Sequence, residues 1–206
     1  MESKKVLEKF LNVEFPSEFS EFTLKNKDFL VKYSILKENA NTVLREIGEE
    51  ITSETAYYEK YPLVKKAKEL LQHRFKRFYN LYRGKKPEDC QIPPFNNSFI
   101  EFLEWWYTKA DDKGMLHCYY CGIDEETSKI AFETLLTSEK FTGGLQIEKK
   151  DPNDGYKTDN CEFACVLCNN AKSDIITSED FKEYFGAAVK AYWQHIKCAL
   201  EECECS

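Results

Sequence analysis

The chain has 206 residues, of which 42% are hydrophobic, 15% aromatic and 32% charged, and its formal net charge is −7. This composition is too apolar for a disordered chain, and no run of about 18 apolar residues predicts a membrane span. Lys4 and Lys5 are not followed by the apolar segment that is typical of a secretory signal. We therefore expect one sizeable globular domain or two small ones, in the cytoplasm.

Residues 1–90 predict a helical region. Its first apolar stripe is formed by Val6, Leu7, Phe10 and Leu11 at helical spacing. A second helix is predicted from about residue 28 to residue 47, with Gly48 as its C-terminal cap. A third and longer helix is predicted over residues 62–84, where Pro62 suits the first turn.

The third helix is basic on its polar face. Nine lysines and arginines lie in residues 65–86, where Glu69 is the only acid, and three of them are Lys68, Lys85 and Lys86. Such a face can follow a phosphate backbone, although a solvated helix surface is the alternative. The candidate nucleic-acid-binding residues on it are Lys65, Lys66, Arg74, Lys76, Arg77 and Arg83.

A segment rich in helix-breaking residues covers residues 84–97 and predicts a domain boundary there. We expect one region over residues 1–90 and a second over residues 91–206. Ser98 and Glu101 form a capping-box pattern, which predicts a helix running to about Ala110.

Two C-x2-C pairs, Cys118/Cys121 and Cys165/Cys168, carry the clearest chemical signal. Each pair can place two thiolates on one ion, and four thiolates in a tetrahedral shell suit zinc. A closed shell leaves no open coordination position, so this zinc is expected to be structural. An iron–sulfur cluster is the alternative. His117, next to Cys118, could substitute as a ligand, but a chance neighbour is the favoured interpretation.

The separation between the two pairs exceeds the roughly 15–20 residues of a simple zinc ribbon. The intervening chain predicts a hairpin, with strands near residues 145–151 and 161–164 and a turn at residues 152–155. A short helix is predicted to follow Cys168. Further along, Thr177 is expected to open a final helix whose apolar face includes Phe181, Phe185, Ala188, Val189, Tyr192, Trp193 and Ile196.

The segment LQIEKKDPNDGYKTDN at residues 145–160, followed by CEFACVLCNNAK at residues 161–172, resembles the HNH endonuclease family. The resemblance covers about residues 100–185 and implies a ββα-metal fold. The whole chain is then expected to be α+β and mostly helical. An N-terminal helical region would precede a zinc-stapled, HNH-like module with flanking helices.

The resemblance also implies site residues. Glu148 and Asn169 correspond to ligands of a catalytic divalent ion, Mg²⁺ or Mn²⁺. Asn160 would hold the hairpin or orient the site, and Asp151 could add a carboxylate.

The sequence departs from the family where a histidine commonly acts as general base, because Lys149 occupies that position. A lysine is a poor base unless its pKa falls, so Lys149, Asp151, a metal-bound water and a distant histidine all stay open for this role. Lys149, Lys150 and Lys172 could instead contact phosphate.

The function implied is a metal-dependent endonuclease acting on nucleic acid, with DNA as the expected substrate, in restriction or phage defence or in a mobile element. One alternative is a zinc-stabilised nucleic-acid-binding protein that has lost catalysis. Another is a protein-binding adaptor in which the four cysteines are purely structural. The expected partner is nucleic acid and not a membrane, and the sequence leaves a protein partner or a homodimer open.

Overall fold

A computed structural model describes residues 2–136, 138 and 140–204. These residues are mostly helical and include a two-stranded antiparallel sheet, which confirms the α+β class. None of the described helices combines the length and apolarity that crossing a bilayer requires. The chain divides into two compact units, Met1–Thr108 and Lys109–Ser206. The assignment of residues 1–90 and 91–206 to separate functional regions stays a prediction.

The described residues of the first unit form helices joined by turns and loops. Its α-helices are α1 (Glu2–Glu14), α2 (Leu24–Phe29), α3 (Ala40–Glu46), α4 (Glu54–Lys60), α5 (Pro62–Asn80) and α6 (Phe99–Thr108). Shorter helical segments cover Phe19–Glu21, Leu30–Ile35 and Pro87–Asp89. Pro94–Asn97 forms a left-handed turn, in which Phe95 and Asn96 have φ of 47° and 53°. The predicted apolar stripe of α1 is buried, and this helix packs against α6.

The single helix predicted over residues 28–47 is wrong, because the chain breaks between Leu30–Ile35 and α3. Lys37 adopts a positive φ of 62°, which ends the first helical segment. Asn39 then starts a new helix by accepting hydrogen bonds from the backbone of Asn41 and Thr42. The predicted cap at Gly48 is confirmed: its φ is +68°, and its N–H donates to the Arg45 carbonyl.

Helices α5 and α6 follow the predicted pattern closely. The start of α5 at Pro62 is confirmed, and its buried residues include Ala67, Leu71 and Phe78. In α6 the Ser98 hydroxyl accepts from the Glu101 N–H at 3.1 Å, as the capping pattern predicts. The Glu101 carboxylate, however, accepts from the side chain of Asn96, so the reciprocal half of the capping box is not formed.

The second unit is built around a hairpin. Its elements are α7 (Glu125–Thr134), β1 (Gln146–Lys149), β2 (Cys161–Ala164), α8 (Val166–Lys172), α9 (Ser178–Asp180), a π-helical segment (Phe181–Phe185) and α10 (Gly186–Glu204). Strands β1 and β2 pair antiparallel, with Gln146 opposite Ala164 and Lys149 opposite Cys161. The predicted hairpin and following helix are therefore confirmed.

The final helical region packs close to the loop that contains Cys118 and Cys121. A Cβ at Gly186 would lie 2.6 Å from the Tyr120 carbonyl oxygen, so only glycine permits this approach. The Thr177 cap is confirmed, since its hydroxyl accepts from the Asp180 N–H. The predicted apolar face is only partly buried, because Phe185 and Tyr192 are exposed.

Candidate functional site

Four buried cysteines meet at the junction between a tight loop and the start of α8. The loop is closed by a hydrogen bond of 2.8 Å from the Gly122 N–H to the Cys118 carbonyl. It is tied to β2 by a second bond of 2.8 Å, from the Tyr119 N–H to the Phe163 carbonyl. The sulfurs of Cys118, Cys121, Cys165 and Cys168 all lie within 4.8 Å of one another. The predicted four-cysteine cluster is therefore formed.

The spacing of these sulfurs fits a metal ion such as zinc. The Cys121 and Cys165 sulfurs are 3.7 Å apart, which is far beyond a disulfide bond. Two thiolates on one tetrahedral zinc lie about 3.8 Å apart, because each Zn–S bond is about 2.3 Å. The hydrogen bond from Cys121 lowers the pKa of Cys118, whereas hydrogen bonding with Cys118 raises the pKa of Cys121 and of Cys168. The four sulfurs are thus close enough to share protons, which a bound metal ion would displace.

Four polar side chains form an array between β1 and α8. Gln146 and Glu148 lie two residues apart and share one face of the strand. The Asn169 amide donates to Gln146 Oε1 at 2.5 Å, and Lys172 Nζ lies 2.8 Å from Glu148 Oε1. The structure thus pairs Asn169 with Gln146 and Lys172 with Glu148 at one strand–helix junction. Lys172 faces Glu148 and not solvent, and the catalytic roles of Glu148 and Asn169 stay predictions.

The ion pair in this array is almost fully buried. The side chain of Lys172 is 1% exposed and that of Glu148 is 7% exposed. Lys172 Nζ also approaches the carbonyl oxygens of Lys149 at 3.4 Å and Ser173 at 3.5 Å. The second carboxylate oxygen of Glu148 accepts from the Tyr120 phenol at 2.5 Å. Both oxygens of Glu148 are therefore engaged by protein groups.

Tyr120 connects the cysteine cluster to this ion pair. It lies between Cys118 and Cys121, and its phenol is also 3.2 Å from Ser178 Oγ. Burial, together with the hydrogen bond to Glu148, raises the pKa of Tyr120, so the phenol keeps its proton and acts as donor. Our sequence reasoning missed Tyr120 and Ser178, because nothing in a C-x2-C spacing shows where the intervening side chain points. Gln146 could have been found, because side chains two residues apart on a strand point to the same face, and Gln146 is two residues before Glu148.

The hairpin turn is closed by Asn160. Its Oδ1 accepts from the Asp151 N–H at 2.9 Å, and its Nδ2 donates to the carbonyls of Asp151 at 2.9 Å and Gly155 at 2.8 Å. The ammonium of Lys149 donates to the Pro152 carbonyl. The Asp151 carboxylate is exposed and accepts from the Asn153 N–H at 2.8 Å. Lys149 and Asp151 thus both contact the turn.

An open cavity of about 490 Å³ lies between this turn and the chain that follows α8. Five carboxylates and one basic side chain, that of Lys150, line it, so the cavity as a whole favours cations over phosphate groups. The carboxylates that line it belong to Asp151, Asp154, Asp159, Asp174 and Glu179. The side chains of Asn153 and Asn160 add amide groups to the lining.

The basic residues of the first unit fall into two groups. Lys65, Lys66, Lys76 and Arg83 are exposed to solvent. Arg74 is not: its guanidinium pairs with Glu14 at 3.0 Å, lies over the Trp106 ring, and is 12% exposed. Arg77 also lies over the Trp106 ring, 4.7 Å from its centroid. Stacking on a buried tryptophan gives Arg74 and Arg77 a packing role within this unit.

Comparisons with known proteins give one structural likeness. No family model matches the chain, and no curated protein matches it significantly. Among solved structures, the chain is similar to the rare-cutting HNH restriction endonuclease PacI, which is described as showing an extraordinary mechanism of DNA perturbation. The TM-score is 0.45 and the sequence identity 24%, over 59% of this chain and 80% of that one. A likeness of this size assigns no function to the present chain.

Proposed function

We propose that this chain is a metal-dependent endonuclease of the HNH type, which hydrolyses phosphodiester bonds in DNA and acts in restriction or phage defence. The observation that carries the proposal is the array between β1 and α8. There the strand acid Glu148 and the helix residue Asn169 each bond to the facing element, beside a four-cysteine cluster. This supports the order of parts that the sequence motifs imply.

The cysteine cluster is proposed to hold a structural zinc ion. Four buried thiolates satisfy its coordination, so the ion would stabilise the fold and would not contact substrate. It would fix the N-terminus of α8 against the loop that carries Tyr120. Because Tyr120 donates to Glu148, the zinc site would also set the position of the strand acid.

The polar array fits a hard divalent cation by its chemistry. It offers carboxylate and amide oxygens, which Mg²⁺ and Mn²⁺ prefer. Its carboxylate already accepts a cation, since the Lys172 ammonium lies 2.8 Å from Glu148. Glu148 and Asn169 are the proposed ligands. When bound, such an ion would stabilise the negative charge that develops on the phosphate during hydrolysis.

The hairpin residues are proposed to serve the reaction in different ways. A lysine is ordinarily a poor base, so we favour phosphate contact over proton abstraction for Lys149, whose Nζ donates to the Pro152 carbonyl. Asp151 offers an exposed carboxylate just beyond the end of β1 and is the better candidate base. Asn160 would keep both in place by closing the turn. Lys150 is a further proposed phosphate contact.

Nucleic-acid contact is proposed for the exposed basic residues of the first unit. Lys65, Lys66, Lys76 and Arg83 are accessible to phosphate groups, and such contacts make binding sensitive to salt. Arg74 and Arg77 contribute less to this proposal, because their guanidinium groups lie over Trp106.

A specific observation favours the second candidate, a zinc-stabilised nucleic-acid-binding protein without catalysis. Glu148 is 7% exposed, and both of its carboxylate oxygens are engaged by Tyr120 and Lys172. If Glu148 kept both of these partners and never bound a metal ion, its role would be purely structural.

Cleavage distinguishes the two candidates. Supercoiled plasmid, single-stranded DNA and RNA are incubated with the purified zinc-loaded protein and Mg²⁺ or Mn²⁺. We expect plasmid cleavage that falls by about 100-fold or more in Glu148→Ala and Asn169→Ala. The control variants Glu133→Ala on α7 and Asn170→Ala on α8 change exposed side chains and should retain activity. Salt-sensitive binding without cleavage would support the second candidate instead.

A further inference from the structure

The buried Lys172–Glu148 pair has a consequence for the proposed ion site. The Lys172 ammonium lies 2.8 Å from Glu148 Oε1 and is 1% exposed, so it occupies the space beside this oxygen. The other oxygen is occupied by the Tyr120 phenol. A divalent cation that used Glu148 as a ligand would have to bind beside one of these two donors or replace it.

Electrostatics selects Lys172 as the group that must yield. An ammonium and a divalent ion on one carboxylate repel each other, and this repulsion is weakly screened in a buried site. The Tyr120 phenol carries no positive charge to repel the ion, so its hydrogen bond to Glu148 can stay in place. Tyr120 also has a second partner in Ser178 that holds its orientation.

The position of Lys172 in α8 bears on its movement. Lys172 is the last residue of α8, and Ser173 follows it with a positive φ of 53°. The ammonium is 3.5 Å from the Ser173 carbonyl, and the next residue, Asp174, lines the acidic cavity. A lysine side chain is long and flexible, so its charge can leave Glu148 without moving the helix.

We propose that Lys172 and a divalent cation compete for Glu148. Lys172 holds the cation position in the ion-free protein and withdraws when the ion binds. Lys172 is thus a positioning residue that sets the affinity of the site. This inference rests on the proposed function, because it takes Glu148 as the ion ligand. It adds that Lys172, a residue of the same motif, lowers the affinity of the site for the ion.

Manganese binding tests the competition without any measurement of cleavage. Mn²⁺ is titrated into the full, zinc-loaded chain and its free concentration is followed by electron paramagnetic resonance. The thiolate site keeps its zinc, because Mn²⁺ is the weaker ion for such ligands. The variants are Lys172→Met, Lys172→Gln and, as a control, Lys190→Met, which changes an exposed lysine of α10.

We expect Lys172→Met and Lys172→Gln to bind Mn²⁺ at least about tenfold more tightly than the unmodified chain, whereas Lys190→Met should not differ. Lys172→Gln retains a hydrogen-bond donor for Glu148 and therefore serves if Lys172→Met fails to fold. Adding Glu148→Gln to either variant should abolish the gain. Equal affinities in all chains, or a gain that survives Glu148→Gln, would overturn the competition.

The proposed function can fail separately. Tighter Mn²⁺ binding in the Lys172 variants, together with no cleavage by the unmodified chain, would support the competition and reject the nuclease. Cleavage that requires Glu148, together with unchanged Mn²⁺ affinity in both Lys172 variants, would support the nuclease and reject the competition.

Discussion

Replacing Lys172 by methionine should strongly destabilise the second unit in the absence of a divalent ion. At 2.8 Å, and with the effective dielectric constant of about 20 that suits protein sites, the attraction within the pair is about 6 kcal/mol before the cost of desolvation. Breaking a buried pair by removing one partner typically costs about 3–5 kcal/mol, because the remaining charge stays buried. Lys172→Met should therefore lower the free energy of unfolding by about that amount.

The double variant Glu148→Gln/Lys172→Met provides the decisive comparison. It removes both charges, and replacing a whole buried ion pair is often close to neutral, so it should recover most of the lost stability. The measurement is urea unfolding of zinc-loaded protein, followed by circular dichroism and by zinc release, which reports on the second unit. A loss below about 1 kcal/mol in Lys172→Met would refute the reasoning, because it is the size expected of an exposed pair.

Three further predictions concern the zinc site, the buried thiol and the basic surface. Removing the metal with a chelator, or replacing Cys168 by serine, should unfold the second unit, as seen by loss of protection in hydrogen exchange. Burial raises the pKa of Cys161 to about 12 from 9.0, so this thiol should resist alkylation at pH 9 while the exposed Cys198 reacts. The pKa of Cys161 is higher in the folded chain than in the unfolded chain, so the unfolded chain loses the thiol proton at a lower pH. The free energy of unfolding should therefore fall as the pH rises from about 9 to 12. In a plot of the logarithm of the DNA-binding constant against the logarithm of salt concentration, Lys66→Ala should make the slope shallower by about one unit. Arg74→Ala should chiefly lower the free energy of unfolding.

Much of the local structure could be predicted from the sequence, because the signals are short-range. The start of α5 follows from Pro62 and the apolar spacing behind it. The hairpin follows from alternation and turn residues, and the four cysteines from their paired spacing. In each case the residues that determine the element are close together in the chain, so their pattern can be read directly.

The errors arose where tertiary structure overrides local pattern. The apolar residues after position 28 suit one helix, but the chain turns at Lys37 and restarts at Asn39. Arg74 lies in a basic stretch, which favours a phosphate contact from sequence alone, and that contact stays a prediction. Its actual partners, Glu14 and Trp106, are distant in sequence.

The partners of Glu148 could not be predicted for the same reason. Tyr120 and Lys172 approach it from two separate segments, and only the folded second unit brings their side chains onto one carboxylate. The sequence motif implied which residues share a site. It did not imply that Glu148 is buried, with a hydrogen bond to one carboxylate oxygen and an ion pair on the other.

The central claim is best tested by nicking of supercoiled plasmid in Mg²⁺, with the unmodified chain compared directly with Glu148→Ala at equal zinc content. The account predicts nicking that requires the divalent ion and falls by about 100-fold or more in the variant. Equal nicking by both chains, or none by the unmodified chain under any divalent ion, would contradict it.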